Sequence, residues 1–403
     1  MLQSAIARRA VIASLLLAGC TQPPSAPVAE APPSPSPPPP PPPVPFDQAV
    51  LNAGNAVFSA AGGDGRRQSV VIDPLVNGIT GEQSVSTRAL GSRLADLARQ
   101  HYPQFDIKPF NASTVATAPL AMVGTFTPVN AQNKPTGLRE AYRFCLVLAD
   151  LKSGKIVAKN VVRALPGGVD GTPTRFFADS PAWTHDANIQ SYINTCQTTK
   201  VGDPIPAIYT NGLIAASIVN EAIEAYDAGR FQQALDLYTH ARMTPAGDQL
   251  RVYSGLYLSH AKLGRREQAE SAFGDIVDYG IRNNHLAVKL LFRSASTAFV
   301  GEPAGNGTYD MWLRQIAEHA AKANSCLQVT GHTSASGSAV LNERLSVLRA
   351  EYVKSRLEQD AAALRGRVVA AGMGAQETLV GTGADDASDA LDRRVEFKLI
   401  PGC

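Results

Sequence analysis

The stretch Thr330-Gly331-His332-Thr333-Ser334-Ala335-Ser336-Gly337, followed by Leu341-Asn342-Glu343-Arg344-Leu345-Ser346-Val347-Leu348-Arg349-Ala350, decides how the C-terminal part of this chain folds. The apolar run Leu327-Gln328-Val329 predicts a strand that feeds a polar, glycine-containing loop, and the loop opens a helix. Leu341, Leu345, Leu348 and Tyr352 recur at three- and four-residue steps, so the spacing predicts a buried stripe. Asn342, Ser346 and Arg349 occupy a neighbouring stripe that projects back toward the loop. The expected product is a pocket floor of hydroxyls with one guanidinium. It holds no acid or base of catalytic purpose.

With Gly372-Met373-Gly374 and Asp392-Arg393-Arg394-Val395-Glu396-Phe397, these residues resemble the OmpA-like peptidoglycan-binding domain. That family carries a Gly-His-Thr-Asp loop followed by an Asn-x-x-Leu-Ser-x-x-Arg-Ala helix. The resemblance implies an α+β fold over residues 285–403, beginning with a strand over Leu290–Phe299. It also implies a site for the diaminopimelate branch of peptidoglycan, formed by Thr333, Ser334, Asn342, Leu345 and Arg349. Ser334 departs from the pattern, because the family places there the Asp that receives the diaminopimelate ammonium. Arg349 offers a planar fork for the carboxylate, and Asn342 with the first backbone N–H groups of the helix assists. Ser334 accepts one hydrogen bond but carries no charge, a loss of about 2–4 kcal/mol in a semi-buried pocket. Glu343 points off the pocket face. His332 is expected to hold the loop by hydrogen bonds, and Arg393 and Arg394 to serve as structural ion-pair partners.

At the other end, Arg8 and Arg9 precede the short apolar core Ala10–Ala18, which predicts an export signal over residues 1–19. Leu17-Ala18-Gly19-Cys20 resembles the lipobox of bacterial lipoproteins, implying lipidation of Cys20. Thr21, rather than the Asp of inner-membrane retention, implies an outer-membrane anchor facing the periplasm. Residues 20–45 contain the run Pro37–Pro43 and predict a polyproline tether.

Residues 46–206 predict an α/β or α+β domain: a helix over Asp47–Phe58, a strand over Ser69–Leu75, and a helix capped by Ser84 or Ser86 with Leu90, Leu94, Leu97 and Ala98 inward. Met122–Thr127 predicts a further strand, and Tyr142–Ala149 with Lys155–Arg163 a hairpin. The Val-Ile-Asp-Pro strand, Val123-Gly124-Thr125-Phe126 and the hairpin are similar to the N-terminal parts of curli-secretion and penicillin-binding-protein-activator lipoproteins. Asp73, before Pro74, reads as a strand-ending Asp ahead of a turn. In residues 207–284, Ala228-Gly229-Arg230-Phe231-Gln232-Gln233-Ala234 returns as Leu263-Gly264-Arg265-Arg266-Glu267-Gln268-Ala269. A period near 34 is the signature of tetratricopeptide-like helical hairpins, which either present a face to a periplasmic protein partner or act as a rigid spacer. Neighbouring segments or the helix around Leu213–Asn220 are expected to cap them.

Net charge of +2 and the lack of a basic run with interleaved aromatics argue against nucleic-acid binding. No Walker A loop, His-Glu-x-x-His, Cys-x-x-Cys or Gly-x-Ser-x-Gly occurs, so no catalytic residue, cofactor or metal site is expected. Cys145, Cys196, Cys326 and Cys403 in an exported chain predict two disulfides with three possible connectivities; the domain layout favours Cys145–Cys196 and Cys326–Cys403. The chain thus reads as a non-catalytic lipoprotein that tethers the outer membrane to peptidoglycan or scaffolds a periplasmic complex. The alternative is a regulatory or assembly lipoprotein, a cell-wall synthase activator or secretion-complex component, whose OmpA-like domain binds protein.

Overall fold

The computed structural model describes residues 40–62, 67–301, 307–383, 385 and 388–402. The expected signal peptide, Cys20 and most of the proline tether lie outside the described residues. The described chain from Pro40 onward is one compact unit.

Its N-terminal half is a mixed sheet built from β1 (Gln68–Ile72), β2 (Val76–Asn77), β3 (Phe105–Lys108), β4 (Leu120–Val129), β5 (Ala141–Asp150) and β6 (Lys155–Ala164). The strand order is β3-β1-β4-β5-β6, with β2 also on β4. β1 pairs in parallel with β3 and β4, whereas β4–β5–β6 is an antiparallel meander. All ten residues of β4 are buried because both faces are covered. Leu120 and Met122 turn toward α1 (Phe46–Ala61) and α2 (Val85–His101), while Ala121 and Val123 turn toward Ile189 and Tyr192. α2 starts where Ser84 caps it through a reciprocal box with Thr87, and Leu90, Leu94, Leu97 and Ala98 are buried as expected. Short α3 (Ala112–Val115) and α4 (Arg175–Asp179) lead to α5 (Ala187–Gln197), whose Cys196 is disulfide-bonded to Cys145 of β5. The end of the proline-rich segment is held to the sheet, with Val44 bridging Ala164 on β6.

α6 (Ala207–Asp227), α7 (Phe231–Arg242), α8 (Leu250–Lys262) and α9 (Arg266–Arg282) pack in chain order. Gly229 (φ 77°) and Gly264 (φ 72°) make the turns into α7 and α9 in the left-handed region. Ala234 and Ala269, just beyond them, are buried. The last helical hairpin is covered by α10 (Thr308–Lys322): Trp312 stacks on Phe273 with centroids 5.4 Å apart and donates Nε1–H to the Tyr257 hydroxyl at 3.0 Å. One hydrophobic core therefore runs from Phe176 and Tyr226 through these helices to Val329 and Phe397.

The C-terminal sheet has the order β7-β10-β8-β9, from β7 (Leu290–Leu291), β8 (Cys326–Gly331), β9 (Val368–Gly372) and β10 (Arg394–Ile400). β10 runs antiparallel to β7 and β8, and β9 parallel to β8. α11 (Ala339–Asp360) crosses from β8 toward β9 and packs on both. Cys326 is disulfide-bonded; its expected partner, Cys403, lies outside the described residues.

Two expectations fail here. The strand over 290–299 is only two residues long, followed by a turn that closes with a Phe292–Phe299 bridge. Pairing stops there because the partner strand begins at Arg394, opposite Leu291, and the residues before it, Ser388–Leu391, form a short 3-10 turn. The second failure is the buried stripe of α11. Leu341 is 66% exposed, Leu348 43% and Tyr352 36%, whereas Ser346, Arg349, Ala350, Val353 and Leu357 face inward. The helix lies so close to the loop strands that a Cβ on Gly331 would sit 2.0 Å from the Ser346 carbonyl oxygen. Small residues are needed there, so the sheet takes the face carrying Ser346 and Ala350. The leucine stripe is turned roughly a third of a turn away.

Candidate functional site

β8 delivers the Gly331–Gly337 loop beside the start of α11, and backbone bonds lock it in place. His332 N–H donates to the Arg394 carbonyl at 2.9 Å, Thr333 N–H to Gly374 at 2.8 Å, and Met373 N–H to Gly331 at 3.0 Å. Ser346 accepts from Gly374 N–H at 3.0 Å and donates to the Glu343 carbonyl at 2.6 Å. Asn342 closes the loop from the helix side, donating to the carbonyls of Ser336 (2.8 Å) and Ser334 (3.3 Å).

The His332 ring does not play its expected part. Both ring nitrogens are buried without a hydrogen-bond partner, and Glu396 and Glu377 stand off at 3.7 and 3.9 Å. Burial, with the Arg394 guanidinium nearby, pushes its pKa down to about 4 against the opposing pull of Glu396, so the ring is neutral at physiological pH. The loop is held by the His332 backbone instead. The Thr333 hydroxyl is likewise buried without a partner.

Arg349 is also placed differently from the expected ligand fork. It is fully buried (0% exposed) and donates to three carbonyls: Nε to Ser296 at 3.0 Å, Nη1 to His332 at 2.8 Å and Nη2 to Arg293 at 3.0 Å. Its guanidinium also lies over the Phe292 ring, 5.2 Å from the centroid. Burial and the neighbouring Arg393 push its pKa down to about 10, with Asp385 opposing. Arg349 joins the turn after β7 to the His332 loop. Two guanidinium N–H groups remain beyond these three bonds.

The space beside Ser334 is occupied by a carboxylate. Asp385 Oδ1 accepts from the Ser334 hydroxyl at 2.8 Å and from Arg393 Nη1 at 2.6 Å, and Oδ2 accepts from Ser294. Partial burial pushes the Asp385 pKa up, but the Ser294 and Ser334 hydroxyls and the Arg393 guanidinium outweigh it and hold the carboxyl below its usual range. Its side chain keeps 22% exposure, in contrast to Arg349. Two further aspartates shape the loop that presents it. Asp392 accepts from the backbone N–H groups of Leu379, Val380 and Gly381, and Asp389 accepts from the N–H groups of Thr382 and Asp385. Arg393 and Arg394 are the expected ion-pair partners, to Asp385 and Glu396 respectively, each at 2.6 Å.

The structure therefore brings Asn342 and Arg349 to the loop that carries Thr333 and Ser334, whereas Leu345 is half-buried on α11 and makes no polar contact with the loop. Asp385 escapes a motif-based reading because it lies 51 residues beyond Ser334. The available signal is the turn-forming Gly381-Thr382-Gly383 just ahead of an acidic pair.

Residues 301–390 match the OmpA family. Among solved structures, the chain is similar to the peptidoglycan-associated lipoprotein from Burkholderia pseudomallei, with 24% identity over 28% of this chain and 89% of that one and a TM-score of 0.24. It is also similar to the cell wall anchor of the T6SS from Pseudomonas aeruginosa, with 27% identity over 32% of this chain and 96% of that one and a TM-score of 0.24. No curated protein matches the chain. The OmpA match contains the loop, α11 and Asp385, and ends two residues before Asp392.

Proposed function

We propose that the OmpA-like region binds the diaminopimelate branch of peptidoglycan, and that Asp385 supplies the carboxylate that Ser334 does not. The observation that carries this reading is the 2.8 Å hydrogen bond from Ser334 to Asp385 within the OmpA match. A ligand ammonium meets the partly exposed Asp385. Its carboxylate is received at the start of α11, where the Ser338 side chain makes no cap bond and the helix dipole favours an anion. The wider reading is a non-catalytic lipoprotein, anchored through Cys20 in the outer membrane and tethering it to the wall from the periplasmic side. It is supported by the Leu17-Ala18-Gly19-Cys20 sequence. No helix among the described residues is long and apolar enough to cross a membrane. The tetratricopeptide-like segment over 207–284 would then engage a periplasmic protein.

The enclosure of Arg349 by three carbonyls favours a second reading, in which the fold binds protein and the chain regulates or assembles an envelope complex. Retention of the full chain on purified sacculi separates the two. The wild type is retained, and Asp385→Asn weakens retention at least tenfold, as expected for loss of a charged partner worth about 2 kcal/mol. Ser334→Asp gives no gain, because it sets a second carboxylate against Asp385. Ser334→Asp combined with Asp385→Asn restores binding. A wild-type chain that washes off sacculi overturns the wall reading; a retained chain indifferent to Asp385→Asn overturns the role of Asp385.

A further inference from the structure

We propose that the outward face of α11 is a self-association surface, on which a second copy of this chain docks antiparallel. Leu341, Leu345, Leu348 and Tyr352 follow one another at steps of four, three and four residues, the spacing of a two-helix seam. On a straight helix they fall within a narrow stripe about 16 Å long. Leu341 and Leu348 are exposed, Leu345 is half-buried, and Tyr352 keeps 36% exposure although one side of its ring rests on Phe299, 5.7 Å between centroids. Sheet packing does not explain the stripe, since α11 meets β8 and β9 through Ser346, Ala350, Val353 and Leu357 on another face.

Charge complementarity identifies the occupant. Arg344 and Glu351 flank the stripe on the same side, and both are exposed with no ion pair among the described residues. On the opposite flank Arg356 is committed to Asp310 at 2.6 Å. In an antiparallel pair, like flanks face each other. A two-fold axis between Ser346 and Val347 sets Leu341 against the second copy's Tyr352 and Leu345 against its Leu348. The same axis brings Arg344 of each copy within reach of Glu351 of the other, giving two reciprocal ion pairs. A parallel pair would instead set Glu351 against Arg356, which is already paired. The two-fold interface is isologous, as expected for the commonest homo-oligomers. Its single-helix contact places it among small, concentration-dependent interfaces.

The test is sedimentation of the full chain in density-matched non-ionic detergent over a rising concentration series. The wild type shifts from monomer to dimer. Leu348→Glu, at a position already 43% exposed and therefore tolerant in the monomer, moves the midpoint at least tenfold higher. Arg344→Glu and Glu351→Arg each weaken the dimer by several-fold, and the double variant restores it, because the reciprocal pairs are inverted together. A chain that stays monomeric throughout, or a dimer indifferent to Leu348→Glu, overturns the proposal. Single charge reversals that leave the dimer unchanged overturn the antiparallel arrangement. If Leu348→Glu lowers retention on sacculi without changing association, the stripe contacts the wall instead and the proposal fails.

Discussion

Replacing Arg349 by Ala should unfold the site rather than empty it. The guanidinium makes three hydrogen bonds to backbone carbonyls at 2.8–3.0 Å and a cation–π contact with Phe292, all at a fully buried position. Each charge-assisted bond contributes about 1.5–3 kcal/mol, part of which is recovered if water enters to satisfy the carbonyls. A cavity the size of the side chain adds to the loss. The net destabilisation is about 3–5 kcal/mol, the range found when one member of a buried charged network is removed. It falls on the contact between the turn after β7 and the His332 loop. In a thermal melt followed by circular dichroism the variant should lose about 4–7 °C, the shift expected for a compact unit that begins at Pro40 and includes both sheets, and amide exchange should accelerate in residues 290–300 and 331–337. Arg349→Lys should recover little, since an ammonium cannot reach three carbonyls held in a planar fan. A variant that melts within about 2 °C of wild type and loses only retention on sacculi would refute this assignment and make Arg349 a ligand group.

Two further outcomes follow from the packing. Burial raises the Asp73 pKa to about 7, against the Tyr209 hydroxyl bonded to it at 3.0 Å and the nearby Arg251 charge. The folded state thus holds the proton more tightly than the unfolded chain. The resulting stability is complete below about pH 4 and is lost as pH rises through about 7, at most about 4 kcal/mol. Urea titrations of wild type and Asp73→Asn across this window should diverge, with the wild type declining more steeply; parallel profiles would exclude the linkage. Gly331→Ala drives a methyl group against the Ser346 carbonyl oxygen and should cost about 1–3 kcal/mol or more, measured by the same melts.

Much of the architecture was legible because it rests on local patterns. The capping box at Ser84, the four inward apolar residues of α2, the β5–β6 hairpin and the Gly229 and Gly264 turns are set by residues within one or two helical turns of each other. The favoured Cys145–Cys196 pairing also holds. The His332 loop and α11 follow from a strand, a glycine-rich loop and a helix read in order.

The face that α11 turns to the sheet was not legible. Apolar periodicity selects Leu341, Leu345, Leu348 and Tyr352, but the clearance above Gly331 and Gly372 admits only the Ser346–Ala350 side. Periodicity reports which residues share a face; the distance between helix and sheet decides which face is inside. The chemistry beside Ser334 was hidden for the same reason. Ser334 lacks a charge in the local motif, and the carboxylate arrives from Asp385, on a loop held by Asp389 and Asp392. The sequence by itself determined which groups were available: one guanidinium on α11, hydroxyls in the loop and acids near the C-terminus. Only the tertiary structure decided that Arg349 spends its hydrogen bonds on backbone carbonyls and that Asp385 stands at the loop. Desolvation and hydrogen-bond satisfaction act through space, between segments that chain order keeps apart.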